Sequence, residues 1–372
     1  MHADAIKEVM EFLKKDACKP NVVVMPDFFL DRLIHIESSL KNFLAEAEAV
    51  VKRKGGSIDN ISQMDFRGGN AANTASALAR LGARVTPIIC TSKLGTQMLK
   101  LHFKRLNIDL SHIKICKKPS ITTALEFNTE NGKANVMLRD LGSLADFSPE
   151  LLDERDFDAL READYVCVFN WAGTRRFGTE LAEKTFRYVK KSGRGKTYYD
   201  TADPTPNNEN ISQLVKRVLQ SKDLDILSVN ENEAICYAKQ VAGKFIESMQ
   251  KGLAIEELAK ESAKILASKI SARLDLHTTH FSATFTNKKL VVVPAFKVRV
   301  LRATGAGDAW NAGNILGHAS NLSDEARLML ANAVATYYIS SADGRHPTRK
   351  QLLKFCERFS KNLKLWLYCI TI

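Results

Sequence analysis

The sequence predicts an α/β protein, a mostly parallel central sheet flanked by helices, with a small β unit beside it. Three observations carry that expectation. Apolar, β-rich runs at 85–90 (VTPIIC), 165–169 (YVCVF), 196–200 (KTYYD) and 225–229 (DILSV) alternate with stretches of helical spacing at 94–106, 177–191 and 209–221. Strands covered on both faces by helices read as near-continuous apolar runs of this kind. Glycine-led junctions at 66–82 (FRGGNAANTASALARLG) and 304–308 (TGAGD) each join a strand-like run to a helix-like one. Finally, 119–145 departs from the alternation, with TTALEF and KANVML reading as paired strands across a turn at 129–132.

In chain order, 1–20 (MHADAIKEVMEFLKKDACKP) mixes acids, lysines and apolar residues at helical spacing. It reads as an amphipathic helical extension, with none of the pattern of a secretory segment. The main unit spans 21–360 and opens on the strand run VVVMPDFFLDRLIHI at 22–36. Residues 31–67 leave the main alternation and include a helix-like insertion, SSLKNFLAEAEAVVKRK. A long helical stretch at 243–271 exceeds what a strand connection needs. At 274–285, LDLHTTHFSATF brings His277 and His280 close in sequence, but no Cys or acidic cluster accompanies them as a metal site would require. An apolar run at 290–301 reads as a strand leading into TGAGD and a helix at 309–318. The tail 361–372 (KNLKLWLYCITI) is apolar yet too short to cross a bilayer, and reads as an extra strand or a subunit contact.

Composition fits a soluble cytoplasmic enzyme. Seven cysteines show no CxxC spacing and read as reduced thiols. The 54 Lys and Arg against 42 Asp and Glu give a net charge of +12, but the basic residues are interleaved with acids along the whole chain. Such a diffuse field suits anionic small molecules better than nucleic acid, which selects a basic stripe with aromatics. No nucleic-acid or membrane partner is expected.

The chemistry concentrates at 304–308. Two glycines around Ala306 let successive N–H groups face one concavity at a helix start, where the dipole favours an anion. Asp308 closes that cradle, either as an ordinary helix-start charge or as a base for a hydroxyl approaching a cradled phosphate. At 228–234 (SVNENEA), Asn230 and Glu233 share one helix face where a strand gives way to a helix.

Together these runs resemble the signatures of the ribokinase-like, or PfkB, carbohydrate kinases, in the family's order and over roughly 21–358. The resemblance implies a ribokinase-like fold in which 31–67 and 119–145 form a β lid that closes over the sugar and often clasps a second subunit, giving a homodimer. It implies that Gly305, Ala306 and Gly307 form the anion hole and that Asp308 is the catalytic base. Gly69, Asn70 and Asn73 would bind sugar hydroxyls, with Asp31 as a further ligand and Asp27 a weaker one. Asn230 and Glu233 would order Mg2+ through water, and Thr304 and Asn332 would join them on the nucleotide side. The activity implied is phosphoryl transfer from ATP to a sugar; ADP as donor, and a nucleoside or a phosphosugar as acceptor, stay open, as does a sensor that has lost activity. Phe28, Phe29 and Trp171 are candidates for stacking on a base. Arg139, Arg175 and Arg176 are candidates for an acceptor phosphate. One departure stands out. Arg302 and Ala303 occupy the places where relatives carry Asp and Thr, next to a site that often takes potassium, so a potassium requirement is not expected here.

Overall fold

The computed structural model describes residues 2–15, 19–129, 132–286, 289–302, 304–341, 344–361 and 367–368. The amphipathic start forms α1 (His2–Lys14), which buries Ala5, Ile6, Val9, Phe12 and Leu13 on one stripe. β1 (Asn21–Met25) is apolar and buried on both faces from Val22 onward. β2 (Phe29–Ile36), α2 (Leu40–Lys52) and β3 (Ser62–Gly68) follow, α2 starting at a Ser39 cap and burying no side chain. α3 (Asn70–Arg80) is built largely of alanine, the best helix former, and of small polar residues, which together let it pack at close range, and nearly its whole length is buried.

Next come β4 (Arg84–Pro87), β5 (Cys90–Thr91), α4 (Lys93–Phe103), β6 (Lys114–Ile115), β7 (Ser120–Thr129) and β8 (Gly132–Asp140). The second half alternates through α5 (Glu154–Glu162), β9 (Tyr165–Phe169), α6 (Gly178–Ser192), β10 (Lys196–Asp200), α7 (Ile211–Leu214), β11 (Ile226–Val229), α8 (Glu231–Gln250), α9 (Ile255–Ala267) and β12 (Arg273–His277). β13 (Phe281–Thr286), β14 (Lys289–Pro294), α10 (Ala306–Ala319), α11 (Asp324–Ile339) and α12 (Arg349–Ser360) complete it.

Eight strands form the main sheet in the order β14-β13-β12-β11-β10-β9-β1-β4. From β12 to β4 all pairings are parallel, while β13 and β14 return antiparallel. Register sets Tyr199 beside Val168 on one side and Leu227 on the other. A second sheet, β3-β2-β7-β8, is built from the two stretches that leave the main alternation, with β2 and β7 parallel and the outer pairs antiparallel.

Four expectations change. The apolar run to 301 is strand only as far as Pro294, where proline ends the ladder. The helix expected at 209–221 is the short α7 continued by a π turn, 215–219. The stretch 243–271 is the end of α8, broken at Ala242, plus a separate α9. Phe28, Phe29 and Trp171 are core residues, each no more than 3% exposed, and so present no face for stacking on a base.

Parallel order has one consequence for function. Asp27, Asn170, Asp200, Asn230 and His277 stand at or just beyond the carboxyl ends of β1, β9, β10, β11 and β12, the edge where ligands of open α/β sheets bind.

Candidate active site

Gly305 caps the N-terminus of α10 in the left-handed conformation, φ +88°. A side chain there would be strained and would run into the Tyr338 hydroxyl. The first helical bond runs from Ala309 N to Gly305 O at 3.1 Å. The amides of Ala306, Gly307 and Asp308 therefore precede the helical ladder and have no acceptor within it. The cradle expected from sequence was Gly305, Ala306 and Gly307; the amides free at the helix start, with the dipole behind them, are one residue further on.

Asp308 lies in that first turn, 5% exposed. Asn70 Nδ2 donates to its Oδ1 at 2.8 Å and Asn73 Nδ2 to its Oδ2 at 2.9 Å. The two glycine-led junctions, far apart in sequence, thus meet at one carboxylate. Burial drives the Asp308 pKa up to about 8; Asp200 and Asp27 push the same way, and the two asparagine bonds oppose them.

What brings α3 to this place is Gly69, φ +93°, whose missing side chain lets the chain pass against the backbone of Asp27 and Phe28. Asp27 is wholly buried and accepts from Asn70 N (2.9 Å), Ala71 N (2.8 Å) and Asn170 Nδ2 (2.7 Å). It anchors the start of α3 as a helix-terminal anion.

A cavity of about 510 Å³ runs from Asn70 and Asp308 past Gly305, Ala306 and Gly307 to an apolar end that includes Phe296, Val298 and Tyr368. Asp200, Asp203, Asn230, Glu231 and Glu233 also line it. Asn230 and Glu233 form a reciprocal cap at the start of α8: Glu233 N donates to Asn230 Oδ1 (3.0 Å), and Asn230 N and Nδ2 donate to the Glu233 oxygens (3.0 and 2.8 Å). Burial, with Asp200, Asp203 and Glu231 nearby, raises the Glu233 pKa well above the carboxylate range. Among the described residues no three acids, histidines or cysteines come together to hold a metal directly, so a magnesium ion at this end would be ordered through its waters.

Two assignments on the nucleotide side need correction. Thr304 is exposed and stands outside the cavity lining. Asn332 reaches the lining, but its amide is spent inside the protein, accepting from Ser282 Oγ and Trp310 Nε1 (2.9 Å) and donating to Pro294 O (3.1 Å).

A sequence model of the pfkB family carbohydrate kinases matches residues 43–351. The chain belongs to the PfkB family. It is a phosphotransferase with a hydroxyl acceptor, a sugar kinase by family. It is 26% identical over 297 residues to a ribokinase of Haemophilus influenzae, across 78% of this chain and 87% of that protein. Its fold resembles the Arabidopsis thaliana ribokinase solved with ribose and ATP (TM-score 0.66, 19% identity, 91% of this chain and 99% of that one). It equally resembles the Xylella fastidiosa fructokinase with bound ATP (TM-score 0.67, 17% identity, 91% and 99%).

Within this PfkB kinase, Asp31 on β2 keeps one oxygen, Oδ1, without a partner, while Thr122 bonds the carboxyl. Burial raises its pKa to about 6, against the pull of Thr122 and Arg139. Arg139 lies over the Phe29 ring at 5.3 Å. Arg175 instead holds Pro206 O, and Arg176 pairs with Asp146 at 3.0 Å on the surface, so neither joins the acceptor side. Arg302 packs its guanidinium over Phe66 (5.3 Å) and Tyr338 (5.7 Å). Ala303 lies outside the described residues.

Sequence reasoning missed Asp200, which ends β10, and the layer beneath it. Asn311 on α10 donates to Asp200 Oδ2 (2.6 Å) and accepts from Tyr198 and Ser228 (2.7 and 2.8 Å). One turn on, Asn314 donates to Asp275 Oδ2 at 2.9 Å. Asp275, fully buried, also pairs with Arg273 (2.9 Å) and Arg327 (3.2 Å). This polar layer pins the helix that carries the anion cradle onto the sheet. The only signal for it in sequence was polar residues recurring inside a helix otherwise apolar.

Proposed function

We propose that this chain transfers the terminal phosphoryl group of magnesium ATP directly to a hydroxyl of a sugar, with Asp308 as the base. The observation carrying this is the meeting of Asp308, the free amides of α10 and the asparagines of α3 at one end of the cavity. Phosphates of the nucleotide would lie against the amides of Ala306, Gly307 and Asp308, with its base toward the apolar end by Phe296 and Tyr368. A sugar hydroxyl, held by Asp31 and by the asparagines as they turn from Asp308, would give its proton to that carboxylate while its oxygen attacks the γ-phosphorus in line and the bond from that phosphorus to the β–γ bridging oxygen breaks, releasing ADP. Asn230 and Glu233, with Asp200 close by, would hold Mg2+ through water, and the ion would neutralise charge on the phosphates. Positioning and fixed dipoles carry the rest of the rate.

Relatives named as ribokinase and fructokinase support a simple sugar as acceptor. The proximity of Arg139 to Asp31 favours a second reading, a phosphosugar. The test is a coupled assay across pentoses, hexoses, nucleosides and sugar phosphates, with ATP and ADP in turn. Turnover with a free sugar and ATP is expected. Turnover with none would favour a ligand sensor.

The guanidinium of Arg302 lies over the ring of Tyr338, whose hydroxyl stands against Gly305, so a fixed positive charge sits one side chain behind the proposed anion hole. Turnover in sodium-only buffer is therefore expected to equal that in potassium; activation several-fold by potassium would contradict the reading. The second sheet leaves Met64, Val136, Met137 and Leu138 exposed, which supports a homodimer through the lid. Light scattering at micromolar concentration should give twice the chain mass. Among the described residues no helix is long and apolar enough to cross a membrane, and we infer that the enzyme works in the cytoplasm.

A further inference from the structure

A second cavity, of about 520 Å³, shares no lining residue with the first among the described residues. β3, α3, the end of α4, Arg302, Tyr338 and 344–346 enclose it. Among the described residues six cations line it: Arg67, Arg80, Lys104, Arg105, Arg302 and Arg345. Among the described residues its one carboxylate is Asp65, and Arg32 holds that at 2.7 and 2.9 Å. So many like charges around one hollow repel each other unless an anion sits among them.

The walls are built rather than fortuitous. Arg67 is held by Asn73 (Nε to Oδ1, 3.1 Å), and Arg80 by the carbonyl of His346. Arg302 is fixed by its two aromatic faces. His346 is 1% exposed, stacks on Tyr338 at 4.6 Å and meets Ser76 Oγ through Nδ1 at 3.3 Å. Its other nitrogen, Nε2, is buried without a partner. Burial and the neighbouring Arg67, Arg80 and Arg302 keep the ring neutral, so Nε2 carries the proton when Nδ1 accepts from Ser76. An orphaned donor inside a ring of guanidiniums is what a tetrahedral oxyanion would complete, since guanidinium matches phosphate geometry.

We propose that this cavity binds a phosphomonoester of metabolite size, at a site separate from the nucleotide and acceptor sites. The volume exceeds what inorganic phosphate alone fills, so an organic body is expected behind the phosphate.

Titration calorimetry at low ionic strength tests this on the full-length protein saturated with magnesium and a non-hydrolysable ATP analogue. The probes are glucose 6-phosphate, glycerol 3-phosphate, inorganic phosphate and glucose. Both esters are expected to bind one per chain, inorganic phosphate more weakly, and glucose not through this site. Equal affinity for inorganic phosphate and the esters would support an oxyanion site and overturn its preference for an organic body. Lys104→Gln with Arg105→Gln, two exposed positions at the end of α4, should weaken ester binding about tenfold, while Asp308→Asn should leave it unchanged. Arg80→Gln should weaken it further. Ester binding that is absent, that survives the Lys104 and Arg105 pair unaltered, or that is lost in Asp308→Asn would overturn the proposal.

Discussion

Asp308→Asn is expected to lower turnover by roughly two to four orders of magnitude, the usual contribution of a positioned base. The substitution keeps the shape and one acceptor oxygen, but its amide nitrogen cannot accept, so one of the two bonds from Asn70 and Asn73 goes together with the negative charge and the ability to take a proton. Nucleotide affinity should change little, because the amides of α10 are untouched. The wild-type enzyme supplies a second check. With the Asp308 pKa raised to about 8, log(kcat/KM) should climb with pH until about 8 and level off above it, since the base works only when deprotonated. In the variant that slope should vanish. Near-normal turnover after the substitution would remove Asp308 from the mechanism.

The largest loss of stability is expected from Asp275→Ala. Asp275 balances two guanidiniums, Arg327 at 1% exposure and Arg273 at 13%, and receives Asn314 as well. Removing one member of such a buried set leaves uncompensated charge, at a cost of about 3–5 kcal/mol. The arginines hold the Asp275 pKa well below the ordinary carboxylate value. A group depressed in this way contributes stability above its unfolded pKa, about 3.9, and loses it as pH falls through the folded value. The stability gap between wild type and variant, measured by denaturant unfolding, should therefore be full at pH 7 and narrow below about pH 4. An unchanged midpoint at pH 7 would show that the layer under α10 is not what fastens it.

Local pattern made the fold and the two junctions of the candidate site readable. β1, β9, β10 and β11 announce themselves as β-rich apolar runs, and Gly69 and Gly305 stand where the backbone takes positive φ, so both junctions could be placed from sequence. What stayed hidden depends on partners distant in the chain. Asp200 looks like any strand-end acid until Asn311 reaches it from α10. Asn332 lines the cavity, but its amide is taken by Ser282, Trp310 and Pro294. Residues 295–301 carry strand-like apolar character past Pro294, and nothing nearby in sequence marks the end of pairing. The cluster of arginines around His346 is assembled from five separate segments, so an even spread of charge along the chain concealed a concentrated one in space.

The grip of Asn70 and Asn73 on Asp308 bears on economy. Each Asp308 oxygen is already engaged, so if Asp308 is the base proposed, a stray water would meet it occupied while no sugar is bound. A true acceptor, offering several hydroxyls to the same asparagines, can take them over and release the acid at the moment it is needed. β3 runs through Gly69 directly into α3, so if a sugar were to draw the small sheet inward it would also pull on the asparagines that hold Asp308. Nucleotide standing in the cleft without a sugar should thus be spared from idle hydrolysis by the same side chains that later welcome the substrate.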